Sequence, residues 1–461
     1  MKGEGQGANF LGFLPWSFSG RVLSFTTHVI SLLRLRLKGS LEASITNFMK
    51  TKSPLSPICF LLLVVTLAPT AIPIHAAPAK IPLKIFILAG QSNMEGHAKV
   101  STFEHLGMDP KTAPILKEMR AADGTPRVCD EVWISYFNGS EVGSGEGHGQ
   151  LTAGYGARKN SAEDGGKIGP EFTFGIYMQK QLKEPILLIK TAWGGKSLHT
   201  DFRPPSAGAY EFNDHQVEVY KKRGLDLKQV KADKVQASGH YYRLMTGHVQ
   251  RVLKDIKRVY PNYDPKQGYE LAGFVWFQGW NDMVDRNTYP ERHLPGGYAQ
   301  YSVLLADFIR DVRRDLSAPK LPFVIGVLGV GGPEKDSDPA RGKGGKEGFR
   351  EAMAAPALRP EFKGNVTAVL TENYWDEELG ELASRWEKVK AKSRKLNKEG
   401  KLSRKEQAAV LEKYKAELYT PEETKLREGA ISNAGYHYLG SAKIMAQIGK
   451  GFAEAMGRMR P

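Results

Sequence analysis

The sequence predicts an α/β protein whose central parallel sheet is covered by helices on both faces. Short apolar runs that suit buried strands recur along the chain, and between them lie helical patterns with apolar residues at three- and four-residue spacing. Such alternation is typical of parallel sheets, because each crossover helix covers one face. With 41% hydrophobic and 25% charged residues, the composition is that of a globular protein with a sizeable core.

Six strands and five helices are predicted in turn. The strands are expected at residues 84–89, 132–137, 185–192, 271–277, 323–330 and 366–371. The helices are expected at residues 171–182, 240–259, 298–316, 348–358 and 438–456. In open parallel sheets, ligands bind at the carboxyl ends of the strands. The residues that directly follow each strand are therefore the candidates for binding and chemistry.

The N-terminal 77 residues are predicted to lie outside this domain. From Met49, a basic start leads into an apolar run that ends in small residues near Ala76, as in a secretory signal peptide. We therefore expect residues 1–48 to be an over-called start and residues 78–461 to form a secreted domain, periplasmic or extracellular. An uncleaved signal anchor is the alternative. The run is broken by two prolines and is shorter than the roughly 20 apolar residues of a membrane span, so no stable span is expected.

Charge is concentrated in one part of the domain. The full chain has a net charge of +15, and removal of the +5 on residues 1–77 leaves about +10. Residues 381–428 contain 14 Lys/Arg and nine Glu, with capping-box patterns at Ser403–Glu406 and Thr420–Glu423. They predict an inserted, charged helical hairpin with a solvated face. No nucleic-acid motif accompanies the positive charge, so nucleic acid is not an expected partner.

The two cysteines limit the covalent and metal chemistry. Cys59 lies in the predicted signal peptide, which leaves Cys129 as the single thiol of the mature chain and predicts no internal disulfide. No Cys/His spacing typical of a metal site is present, so no metal is expected.

Four segments combine glycine with polar side chains close to predicted strand or helix ends. They are Gly90–Met94 (Gly-Gln-Ser-Asn-Met), Lys190–Ser197 (Lys-Thr-Ala-Trp-Gly-Gly-Lys-Ser), Phe274–Asp282 (Phe-Val-Trp-Phe-Gln-Gly-Trp-Asn-Asp) and Asn433–Tyr438 (Asn-Ala-Gly-Tyr-His-Tyr). Each alone also has an ordinary structural interpretation as a turn, a helix cap or a core histidine. Their order along one chain is more specific than any single segment.

Together the four segments resemble the SGNH hydrolase superfamily and, within it, the sialate O-acetylesterase-type carbohydrate esterases. The resemblance covers about residues 82–455, and Gly169-Pro170-Glu171 before a helix is similar to another feature of the family. It implies a three-layer α/β/α sandwich of the SGNH/flavodoxin-like kind. It also implies a serine esterase that removes O-acetyl groups from carbohydrate without metal or organic cofactor.

The resemblance implies roles for individual residues. Ser92 is the nucleophile and His437 is the base that takes its proton. The oxyanion hole consists of the Ser92 N–H, a glycine N–H and the Asn281 side-chain amide. For the glycine, Gly195 is preferred to Gly194, with little to separate the two.

The expected partner is an acetylated carbohydrate or polysaccharide, with Gln91 and Gln278 as candidate substrate-binding residues. Two alternatives remain open. One is a carbohydrate-binding protein that keeps the fold with weak or no catalysis. The other is a lipase or thioesterase, which polar residues near the motifs, such as Lys196 and Arg203, disfavour. The sequence leaves open which sugar bears the acetyl group and the oligomeric state.

One position departs from the family pattern. The family commonly has an aspartate three residues before the histidine, where this chain has Ala434. Such an acid orients the imidazole and stabilises its cation. Three explanations are open: a backbone carbonyl or Asn433 orients His437, an acid such as Glu372 or Asp376 substitutes, or the site is impaired.

Overall fold

The computed structural model describes residues 81–157, 166–334 and 344–460. The predicted signal peptide and its cleavage site lie outside these residues, so both stay predictions. Within the described ranges, no helix is long and apolar enough to cross a membrane.

A seven-stranded sheet forms the centre, with strand order β4-β3-β6-β1-β7-β8-β9. The strands are β1 (Leu83–Gly90), β2 (Ala98–Lys99), β3 (Cys129–Phe137), β4 (Glu146–Leu151), β5 (Lys167–Ile168), β6 (Ile186–Ala192), β7 (Tyr269–Phe277), β8 (Phe323–Val327) and β9 (Val366–Leu370). Every pairing in this sheet is parallel except that of β3 with β4. β2 and β5 form a separate two-stranded ribbon.

Helices lie on both faces of the sheet. They are α1 (Ser92–Glu95), α2 (Glu104–Gly107), α3 (Ala113–Met119), α4 (Glu171–Leu182), α5 (Asp214–Lys222), α6 (Leu227–Ala237), α7 (His240–Lys254), α8 (Trp280–Val284), α9 (Ala299–Asp315), α10 (Gly345–Ala354), α11 (Glu377–Glu399), α12 (Arg404–Leu418), α13 (Pro421–Ala430) and α14 (Ala442–Arg458). α4 and α14 pack together on one face, while α7, α9 and α10 cover the other. This confirms the predicted α/β/α sandwich with a central, mostly parallel sheet.

Some elements differ from the sequence prediction. No strand or helix is predicted for residues 138–169, but β4 lies within them and extends the sheet by antiparallel pairing with β3. The sequence of β4 is rich in glycine and polar residues and has no apolar alternation, so this strand depends on its pairing with β3 rather than on a local sequence pattern. Residues 377–430 form three helices, of which α12 and α13 begin at the predicted capping boxes.

A buried ion pair connects strand β6 to the start of helix α4. Lys190 near the end of β6 donates to the carboxylate of Glu171, at the start of α4, at 2.7 Å, and both side chains are fully buried. The same ammonium group donates to the carbonyl oxygens of Glu95 in α1 and of Tyr155. Burial raises the pKa of Glu171 and lowers that of Lys190, and each partner's charge opposes the shift of the other.

Replacing Lys190 alone should strongly destabilise the fold. Lys190→Met leaves the Glu171 carboxylate buried without its cation, and we expect the free energy of unfolding to fall by about 3–5 kcal/mol. Chemical denaturation measures this loss. The double variant with Glu171→Gln should lose less, because no charge is then left unpaired. A loss below about 1 kcal/mol in the single variant would contradict the structural role of the pair.

Candidate active site

Ser92 lies directly after β1, at the first residue of α1. A Cβ on Gly90 would lie only 2.1 Å from the carbonyl oxygen of Phe277, so only glycine fits where β1 and β7 end side by side. The next turn puts Ser92 at the carboxyl edge of the sheet, with 8% of its surface exposed. Among the described residues, neither its hydroxyl nor its N–H has a hydrogen-bond partner.

Gln91 joins this turn to the start of α8. Its side-chain oxygen accepts hydrogen bonds from the N–H groups of Gly279 at 3.3 Å and Asn281 at 3.4 Å. Asn281 is therefore held beside the residue that precedes Ser92. Its own side-chain amide is half-buried and makes no hydrogen bond within the described part of the chain.

Asp282 anchors the turn after β6 to the same helix. Its carboxylate accepts from the N–H groups of Leu198 at 2.8 Å and His199 at 3.0 Å, and from the side chain of Gln278 at 2.6 Å. Burial raises the pKa of Asp282 to about 6. Gln91 and Gln278 are each 1% exposed. Their contacts favour a positioning role inside the protein, while substrate binding by either stays a prediction.

The glycine pair after β6 lies against Ser92. A Cβ on Gly194 would be 3.7 Å from the Cβ of Ser92 and 3.0 Å from the Glu95 carboxylate. Burial raises the pKa of Glu95, while Lys190 and hydrogen bonds that include the Gly194 N–H lower it. Gly195 has a φ of +76°, a conformation that favours glycine. Its N–H has no acceptor among the described residues, whereas the Gly194 N–H faces Glu95.

His437 comes from the segment Gly435–Gly440, a 3-10 turn that packs against α1 and delays the start of the last helix to residue 442. Its Nδ1 lies 3.0 Å from the side-chain oxygen of Asn433, which also accepts from the Ala434 N–H at 2.7 Å. In this arrangement Nδ1–H donates and Nε2 keeps a lone pair. Burial lowers the pKa of His437 to about 4.

A second histidine, which the sequence analysis missed, lies flat against the first. The rings of His97 and His437 stack with centroids 3.8 Å apart and an interplanar angle of 3°. The Asn433 side-chain nitrogen is 3.5 Å from Nδ1 of His97, a contact that turns the amide oxygen towards His437. His97 follows the first motif by a few residues, and a lone histidine in a loop gives no spacing signal in the sequence.

The two acids considered as substitutes for the missing aspartate are engaged elsewhere. Glu372 pairs with Arg350. Asp376 caps α11 through the Leu379 N–H at 3.1 Å and pairs with Lys443 at 2.9 Å. Of the groups considered, Asn433 is therefore the one that the structure brings to His437.

The segment that contains His437 has a strained backbone. Tyr438 and Leu439 have φ values of 51° and 61°, which cost free energy in residues other than glycine. The buried Tyr438 hydroxyl holds this conformation, because it accepts from the Gly329 N–H at 2.8 Å and bonds to Thr371 at 2.6 Å. The His437 backbone is thus fixed from inside the core.

The structure thus brings the four motifs to one edge of the sheet. The Gly194-Gly195 turn and the start of α8 lie beside Ser92, and the His437 segment packs on α1. In the described residues, no hydrogen bond joins Ser92 to His437. Such bonds are often long in unliganded enzymes and shorten when substrate binds.

Comparison with protein families matches residues 156–342 to a family described as carbohydrate esterase, sialic acid-specific acetylesterase. This match confirms the resemblance to the SGNH-type carbohydrate esterases. The carbohydrate esterase segment contains Gly195, Gln278 and Asn281, while Ser92 and His437 lie on either side of it. It supports an esterase that acts on acetyl groups of carbohydrate.

Two solved structures are similar at low identity. One is a protein from Arabidopsis thaliana, at 18% identity and a TM-score of 0.35, covering 63% of this chain and 86% of that one. The other is a carbohydrate acetylesterase from Xanthomonas citri, at 15% identity and a TM-score of 0.34, covering 62% of this chain. This chain spans 49% of the Xanthomonas protein. A search of curated proteins found no match.

Proposed function

We propose that the protein is a secreted serine esterase that removes O-acetyl groups from carbohydrate. One observation above all supports this: Ser92, with its hydroxyl and N–H unengaged, lies between the glycine turn and the helix containing Asn281. A serine surrounded by backbone and side-chain N–H donors that have no acceptor suits acyl transfer through a tetrahedral intermediate. The predicted signal peptide supports secretion.

The proposed reaction has two steps. Nε2 of His437 takes the proton of Ser92 as its oxygen attacks the acetyl carbonyl, and the sugar alcohol leaves with that proton. His437 then takes a proton from a water molecule, which attacks the acyl-enzyme and releases acetate. The N–H groups of Ser92 and Gly195 and the Asn281 amide stabilise the negative oxygen in both steps.

Asn433 and His97 take the place of the usual acid as positioning residues in this proposal. The Asn433 oxygen selects the tautomer of His437 that leaves Nε2 free to accept a proton. His97 holds the amide and restricts rotation of the ring by stacking. A neutral partner stabilises the imidazolium less than a carboxylate would, which agrees with a base of lowered pKa.

An aromatic pair lies next to Asn281 and offers a surface for a sugar ring. Trp280, next to Asn281, lies with its ring centroid 5.7 Å from that of Tyr436, which is 45% exposed. Aromatic side chains at the edge of a site offer a face for sugar rings.

Release of acetate tests the proposed function. Residues 78–461 should release acetate from p-nitrophenyl acetate and from acetylated xylan, with activity falling steeply from acetyl to octanoyl esters. Rising activity with chain length would favour a lipase or thioesterase. No turnover on any ester, together with no labelling of Ser92 by a phosphonofluoridate, would leave the carbohydrate-binding alternative.

The pH profile should reveal the buried base. With a pKa of about 4, His437 is neutral above pH 4 and is protonated, and so disabled, as pH falls through 4. We expect kcat/KM for p-nitrophenyl acetate to stay near its plateau at pH 5.5, where a histidine of ordinary pKa would give about a tenth of it. An acid limb with its midpoint at pH 6.5 would contradict this environment for His437.

A further inference from the structure

A cavity of about 270 Å³ lies between the charged helices and the loop that contains Asn433. Side chains of α11 and α13 form one wall, and Ile431–Gly435 forms the other. A Cβ on Gly435 would meet nothing within 4 Å, so this edge is open. The cavity therefore adjoins the loop that orients His437, and its other wall belongs to the insertion rather than to the sandwich.

Arg427 provides the distinctive charge of this cavity. Its planar guanidinium lies 3.7 Å from the ring centroid of Trp386, a cation–π contact that holds the group against the face of the ring. Two neighbouring lysines are neutralised, Lys390 by Glu387 and Lys415 by Glu412. Arg427 has no carboxylate partner among the described residues. Its guanidinium N–H groups make no hydrogen bond within the described part of the chain and are thus available to an anion.

A planar, pre-oriented guanidinium is suited to bidentate recognition of a carboxylate or sulfate group. At about 270 Å³, the cavity is slightly smaller than most small-molecule sites, whose volumes are about 300–1,000 Å³. This size suits a single sugar ring. Because the cavity adjoins the His437 loop, a glycan whose acetyl group is at Ser92 can extend towards it.

We propose that this cavity is a subsite for an anionic sugar, whose carboxylate or sulfate group binds Arg427. The proposal rests on the proposed function and deepens it, since it makes the substrate an acetylated acidic polysaccharide. Trp386 holds the guanidinium in place and is a positioning residue for the ligand. The role of the insertion is then selection of the glycan rather than chemistry.

Arg427→Gln tests the subsite, with Arg404→Gln on the exposed start of α12 as the matched control. For acetylated polygalacturonate, Arg427→Gln should lower kcat/KM at least about tenfold, mainly through KM, because a charge-assisted hydrogen bond is lost. For p-nitrophenyl acetate and acetylated xylan, the change should stay within about twofold. The control should match wild type on all three. An equal loss on all substrates, or none on polygalacturonate, would overturn the proposal.

Calorimetric binding to the Ser92→Ala protein separates this proposal from the proposed function, because it needs no hydrolysis. Oligogalacturonate and a sulfated galactan oligosaccharide are the two anionic probes, and a neutral galactan oligosaccharide is the control. Arg427-dependent binding of either anionic probe supports the subsite, and the tighter one identifies the preferred group. Binding no tighter than that of the neutral probe overturns it, even if acetate release has already supported the esterase.

Discussion

Ser92→Ala should reduce acetate release to the background rate. Loss of a serine nucleophile in a comparable hydrolase lowers kcat by about 10⁶-fold, so a fall of at least about 10⁴-fold is expected here. The reason is that no other group among the described residues combines an unengaged hydroxyl with the N–H donors of this turn. Initial rates on p-nitrophenyl acetate and acetylated xylan provide the measurement.

The matched control for this variant is Ser302→Ala. Ser302 is an ordinary structural serine, whose hydroxyl donates to the carbonyl of Ala352 at 2.7 Å. It should keep wild-type kcat/KM, while both variants keep the wild-type circular dichroism spectrum. If Ser92→Ala retains wild-type activity in a folded protein, the esterase mechanism is wrong and carbohydrate binding becomes the leading function.

Asn433→Ala should lower kcat by about 10²-fold with little change in KM. Removal of the acid that orients histidine costs about 10⁴-fold in serine proteases, and a neutral amide should contribute less because it does not stabilise the cation by charge. The measured quantities are kcat and KM for p-nitrophenyl acetate.

Asn433→Asp distinguishes positioning from mere loop stability. Its carboxylate can accept from His437 as the amide does, so activity should be retained. Its negative charge should also raise the pKa of His437 and move the acid limb of the pH profile above pH 4. Glu372→Gln, which changes the rival acid, should leave the limb in place. An unchanged profile in Asn433→Asp, or full activity in Asn433→Ala, would exclude Asn433 as the orienting group.

The fold could be predicted largely from local signals. Buried parallel strands have continuous apolar sequences, which can be recognised without a structure. The helix Glu171–Leu182 has the predicted bounds. β4 could not be found in this way, because a polar edge strand depends on its neighbour β3. The insertion is predicted as a hairpin, but its two capping boxes mark the starts of α12 and α13, which together with α11 make three helices.

Within the candidate site, only the residues that belong to the four motifs could be predicted from the sequence. Ser92, Gly195, Asn281 and His437 follow from their order along the chain. Sequence left open which group orients His437, because that depends on which side chains folding brings near it. Asn433 was one of several candidates until its 3.0 Å contact was visible, and the stacked His97 had no signal at all.

The contacts of Lys190 predict how the protein unfolds and loses activity on heating. Its ammonium group connects the carbonyl of Glu95, in the helix that begins at Ser92, to a strand in the middle of the sheet and to the first turn of α4. The Ser92 turn therefore cannot open as a separate, weakly protected unit, as many active-site loops do. Heat inactivation and global unfolding should then be a single cooperative event, and slow amide exchange should extend from the core strands into the Ser92 turn.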